Sequence, residues 1–84
     1  MLNERNAYRR AVASVIRKHR KAANLTTADV AMAWGCDPSN VRHAEAGRKN
    51  VSMSQLSALC AITGRKTSDV LDEVERLLQA DELK

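Results

Sequence analysis

Residues 25–47 read LTTADVAMAWGCDPSNVRHAEAG, and the start and stop signals packed into this stretch restrict what it can form. Thr26 with Asp29 three positions on is the signature of a capped helix start, with Asp standing where Glu or Gln is usual. Gly35 is a stop. Asp37 followed by Pro38 is a second start, because Pro at the first helical position gives up an N–H that has no intrahelical partner anyway. Gly47 is a second stop. Two short helices with a tight turn between them is the reading, and helices this short do not stand alone in water. They are also unlike each other. The first can bury Val30, Ala31 and Trp34. The second has only Val41 and Ala44 pointing inward, with Cys36 at its entrance, so Ser39, Asn40, Arg42, His43 and Ala46 are left facing out.

The flanking sequence supplies helices to hold this pair. Tyr8, Val12, Val15, Ile16 and His19 recur at helical spacing and predict a first helix over about residues 4–23, with Arg5, Arg9, Arg10, Arg17, Lys18 and Lys21 mostly off that face. Ser52 with Gln55 repeats the capping pattern, Gly64 ends that helix, and Met53, Leu56, Leu59, Cys60 and Ile62 give it apolar content. Three hydrophobic staples are in register: Leu25 with Val30, Cys36 with Val41, and Val51 with Leu56. A fifth helix begins after Thr67 or Ser68, its acids Asp69, Asp72 and Glu73 near the positive end and Val70, Leu71, Val74, Leu77 and Leu78 forming a stripe. No strand period is sustained, so the fold class is all-α with five helices. The 84 residues make one small domain, residues 1–84, with the close helix pair at about 26–46 and the last helix at about 68–80.

Charge is uneven. Residues 1–50 carry ten Lys/Arg against four Asp/Glu, whereas residues 51–84 carry four against six. A basic half and a mildly acidic half suit a molecule that presents one side to a polyanion. No apolar run is long enough to span a bilayer, and MLNERNAYRR lacks an apolar signal core, so a cytoplasmic chain with reduced thiols is expected. Cys36, Cys60, His19 and His43 lack paired zinc-ligand spacing. No metal or cofactor is expected, His19 reads as packed, and the two Cys read as small buried apolar residues. No nucleophile–base arrangement or Gly-rich phosphate loop is present, so an enzyme is not expected.

The outward side chains of the second short helix have the chemistry of base readers. Arg forks onto guanine, Asn bridges adenine, and Ser and His donate or accept. Phosphate donors flank them: Thr27 with the free N–H groups at the start of its helix, the Arg48–Lys49–Asn50 loop, and Arg17 and Lys18 on the first helix. His43 would otherwise be an ordinary solvated residue, and Trp34 is expected to fill the angle between the two short helices.

Over about residues 12–71 the chain resembles the helix-turn-helix domain of the Cro and lambda-repressor type, the XRE family. The resemblance rests on Ile16, Arg20, LTTADVA (25–31), Gly35, Val41, Glu45, Gly47 and the Leu56/Leu59/Cys60 run ending at Gly64. It implies a lambda-repressor-like five-helix fold and an Arg20–Glu45 ion pair tying the first helix to the third. It also implies base contacts from Pro38, Ser39, Asn40, Arg42 and His43, and phosphate contacts from Thr27 and residues 48–50. Three positions depart from the pattern. Pro38 offers no donor where relatives carry a polar reader. Thr63 replaces the usual Leu, and Val51 stands where Pro is common. The long last helix is similar to that of small restriction-modification controller proteins and some phage repressors.

The expectation is a dimeric, sequence-specific regulator, a repressor or autoregulator, on double-stranded operator DNA. The last helix either covers the base of the first or forms a two-fold interface through Val70, Val74, Leu77 and Leu78; the interface is favoured. Two other readings stay open: an antitoxin with a toxin or other protein partner, and an interaction module that has lost DNA binding. RNA binding is the weakest, for want of an exposed aromatic platform.

Overall fold

The computed structural model describes residues 4–82, with side chains from 6 to 80. Five helices follow one another: α1 Glu4–Ala22, α2 Thr27–Trp34, α3 Pro38–Glu45, α4 Met53–Thr63 and α5 Thr67–Glu82. No strand occurs among the described residues. The side chain of Arg5 lies outside the described set, as do those beyond residue 80.

The local signals act as the sequence implies. Thr26 Oγ1 accepts from the Asp29 N–H (3.1 Å) while Asp29 Oδ2 accepts from the Thr26 N–H (2.8 Å), closing a reciprocal cap. Ser52 and Gln55 do the same at the start of α4 (3.1 and 2.9 Å). Gly35 ends α2 in the left-handed region (φ 69°), which a side chain would strain, and the turn into α3 depends on it. One end signal went unread. Asn24 adopts φ 59° just after α1, and Asn is the non-Gly residue that most readily does so.

The core draws on every helix. Val12, Val15 and Ile16 of α1 meet Val30 and Ala31 of α2, Val41 and Ala44 of α3, Leu56, Leu59 and Cys60 of α4, and Val70 and Val74 of α5. Burying each larger side chain contributes roughly 1.5–3 kcal/mol. Ala11 joins them, and small residues here let helices approach α1 closely.

Several expectations need correcting. Val70 and Val74 are buried within the protomer (both 1% exposed), so they cannot line an interface between protomers. Leu78 is half-buried against the same core, and Leu77 alone of the four is exposed. The stripe reads identically whether its partner is α1 or a second copy, and α1 takes it. Tyr8 and Ile62 are covered only in part (39% and 40% exposed), and Met53 is more than half exposed. Trp34 does not fill the α2–α3 angle alone: its Nε1–H donates to the Gln55 carbonyl (2.8 Å), tying the end of α2 to the start of α4. Thr63 avoids an orphaned hydroxyl by donating to the Leu59 carbonyl (2.9 Å), the back-bond open to a helical Thr. Cys60 is buried, but Cys36 is only half-buried.

Candidate nucleic-acid interface

α3 is held by its inner side and its two ends. Val41 is fully buried and Ala44 nearly so. At the N-terminus Asp37 Oδ2 accepts from the Ser39 N–H (3.0 Å). Hydrogen bonds from the Ser39 side chain, then from its backbone, hold the Asp37 carboxyl below the ordinary Asp range, with a further pull from Arg42. At the C-terminus Glu45 takes two bonds from Arg20: Nε to Oε2 at 2.6 Å and Nη2 to Oε1 at 3.0 Å. Arg20 also donates through Nη1 to the Leu25 carbonyl (2.9 Å), so one guanidinium joins α1, α3 and the approach to α2. The pair is mostly buried, with side chains 13% and 10% exposed. The Glu45 hydrogen bonds raise the Arg20 pKa further against the opposing effect of burial.

The five expected base readers are not equivalent. Arg42 and His43 are exposed, and beyond the pull of Arg42 on Asp37 their side chains are not tied to other described residues. Ser39 is half-buried and its hydroxyl serves the Asp37 cap. Asn40, also half-buried, accepts from Lys49 Nζ through Oδ1, joining an expected base reader to an expected phosphate donor. Pro38 is half-buried at the start of α3 and has no N–H. The 100° spacing of α3 puts Ser39, Arg42, His43 and Ala46 opposite Val41 and Ala44, with Asn40 at the edge. Asn40 and Lys49 line a cleft of about 260 Å³ with Trp34, Cys36, Asn50 and Gln55.

The phosphate candidates divide as well. Thr27 is the first residue of α2, half-exposed beside the anchored Leu25. Arg48, Lys49 and Asn50 are exposed beyond Gly47, whose φ of 77° turns the chain away from α3. Asn50 Oδ1 accepts from Arg9 Nε (2.8 Å), a partner the sequence did not suggest, because Arg9 lies 41 positions away. Arg17 is exposed. Lys18 is turned toward α5, where its Nζ pairs with Glu73 Oε2 at 2.6 Å although most of the side chain is exposed. Glu73 Oε1 lies 2.8 Å from Nε2 of the buried His19. Burial pushes the Glu73 carboxyl up, but the bonds from Lys18 and His19 outweigh it and leave the group below the usual Glu range.

No group of His, Cys, Asp and Glu that could hold a metal ion occurs among the described residues. None of the described helices is long and apolar enough to cross a membrane.

The sequence matches a family model described as a helix-turn-helix domain over residues 11–77. The chain belongs to this helix-turn-helix family. In three dimensions it is similar to two crystal structures of the clp gene regulator ClgR from Corynebacterium glutamicum. One is 28% identical with a TM-score of 0.81, the match covering 90% of this chain and 81% of that chain. The other is 31% identical with a TM-score of 0.73, covering 81% and 88%. No curated protein matches the sequence.

Proposed function

We propose that the protein is a cytoplasmic, sequence-specific DNA-binding transcription regulator that reads operator half-sites with α3 in the major groove and performs no catalysis. The observation that carries this reading is the outward rim of α3. Arg42 and His43 stand exposed on a helix fixed by Val41, Ala44 and the Arg20–Glu45 pair. A helix held that firmly loses little further freedom when it contacts base edges. Membership of the helix-turn-helix family, and likeness to a gene regulator at about 30% identity, support the same assignment.

Arg42 and His43 lead the base contacts. Ser39 and Asn40 join after exchanging Asp37 and Lys49 for the duplex, and Pro38 gives apolar contact to a thymine methyl. Thr27, Arg17, Arg48, Lys49 and Asn50 take phosphates. The regulator binds as a homodimer on half-sites about one helical turn, ~34 Å, apart. With Val70 and Val74 inside the protomer, its two-fold contact is built around Leu77 and the rim of Leu78.

Selection of bound duplexes from a random pool, with the intact chain, tests this directly. The expected result is a short recovered motif repeated with two-fold symmetry. Recovery of no motif, with equal retention of all sequences, overturns the specific-reader assignment.

A further inference from the structure

Arg10, Ser14, Arg17 and Lys21 recur at intervals of four, three and four residues, so they form one stripe along α1. That stripe is one wall of an open trough of about 500 Å³, whose floor is made by Ala13 and the end of α3 at Ala46. Arg10, Arg17 and Lys21 are all exposed, and none has a partner among the described residues. The one carboxylate in the trough, Glu45, is occupied by Arg20, and Lys18 on the rim is drawn off by Glu73. The carbonyl end of α3 opposes an anion here. Its last carbonyls are taken, however, by the N–H groups of Ala46, Gly47 and Arg48.

We propose that this α1 trough is a second phosphate track, gripping the DNA backbone where it leaves the recognition helix. The inference rests on the DNA-binding reading above and adds Arg10 and Lys21 to its contacts. Length favours a polymer over a small anion. From Arg10 to Lys21 the axis of α1 rises about 16 Å at 1.5 Å per residue, the axial rise of roughly five base pairs. A free phosphate reaches one or two of the three cations, whereas a strand engages all of them. Continuity favours the same duplex. Ala46 belongs both to the trough floor and to the outward face of α3, so the surface runs unbroken from Arg42 into the trough.

The test is salt-dependent binding of the full chain to a mixed-sequence duplex of ~30 base pairs, about three helical turns. The variant replaces Arg10, Arg17 and Lys21 with Gln. A control variant replaces the exposed Arg65, Lys66 and Arg76 with Gln, removing the same charge elsewhere. The track predicts that the first variant lowers the slope of log affinity against log salt by about 2 to 3, since each phosphate contact contributes about 0.9. Its affinity loss between 50 and 200 mM salt then becomes roughly forty-fold smaller than that of the parent protein. The control keeps the parent slope. A slope lowered by only about 0.9, the share of Arg17 alone, or lowered equally in both variants, overturns the track; an unchanged slope also removes Arg17 from the phosphate set, and each of these results leaves base reading by α3 intact. Failure of the parent protein to bind any duplex overturns both.

Discussion

Two carboxylates meet the same turn of α1 and are held in different ways. Glu45, from α3, receives a two-toothed grip from one guanidinium that also reaches the Leu25 carbonyl. Glu73, from α5, receives two separate donors, the exposed Lys18 and the buried His19. Arg is charged at every pH at which a protein folds, and its planar fork fixes direction as well as distance. Lys donates from a flexible stem with rotating donors, and the grip on Glu73 is divided between two side chains instead of coming from one fork. The helix that carries the outward donors is therefore fastened by the more rigid device, and the terminal helix by the more adjustable one. This accords with their proposed tasks: α3 must hold base-reading geometry closely, while α5 covers Val12, Val15 and their neighbours and offers the exposed Leu77 to a second copy.

The largest test of the contrast is Glu45→Ala. It leaves the mostly buried Arg20 guanidinium without a carboxylate, and removing one member of such a pair costs about 3 kcal/mol. Urea unfolding should show that loss, and α3 should lose its orientation, so DNA affinity falls beyond what the unfolded fraction explains. A fall below about 1 kcal/mol would place the pair among ordinary surface ion pairs and remove the claimed difference between the two anchors.

Arg42→Ala comes next, and it acts on function without touching either anchor. A bidentate base contact contributes about 1–3 kcal/mol of discrimination. Affinity for the selected motif should fall by that amount, binding to unrelated duplex should change little, and the melting curve should not move. Equal loss on both duplexes would make Arg42 a phosphate contact.

These anchors also show where sequence reading succeeds and where it stops. The caps at Thr26/Asp29 and Ser52/Gln55, and the stop at Gly35, are legible because donor and acceptor lie within three residues. The Arg20–Glu45 pair is legible only through resemblance to a family, since nothing local links positions 25 apart. The Glu73 clamp escaped. His19 is 54 residues away, and Glu73 read adequately as an acid near the positive end of its helix. The fate of Val70 and Val74 was equally hidden, because an apolar stripe does not say whose surface it meets. At the interface the residue types were legible, but their present partners were not. Asn40 with Lys49, Asn50 with Arg9, and Ser39 with Asp37 all depend on side-chain placement across loops.

Glu73→Gln separates the anchors by pH. The Glu73 carboxyl lies below its ordinary value, so its stabilising effect is fully present above the unfolded pKa, about 4.3, and is lost as pH falls through the folded one. At neutral pH the variant should be less stable by about 1 kcal/mol, the scale of a charge-assisted hydrogen bond at a partly exposed site. The two proteins should converge as pH falls below the unfolded value and on through the lower folded one. The sequence preference for DNA at neutral pH should stay at the parent value, since Glu73 touches none of the proposed base readers. A gap that persists undiminished into acid would mean the contribution of Glu73 is packing rather than charge.

The smallest effect sharpens the boundary of the α3 anchor. Lys49 now donates to Asn40, across the cleft that also holds Trp34 and Cys36. If Lys49 leaves Asn40 for a phosphate on binding, Lys49→Ala lowers the salt slope by about one unit on every duplex. It also frees the Asn40 amide, so preference among motif variants should shift little or rise. If instead the Lys49 bond persists and positions Asn40, the slope stays at its parent value while discrimination at one base position falls. The two outcomes differ in kind, one uniform across sequences and the other confined to a single base pair. A modest effect therefore suffices to decide whether the edge of α3 is preset by its own loop or completed by the duplex.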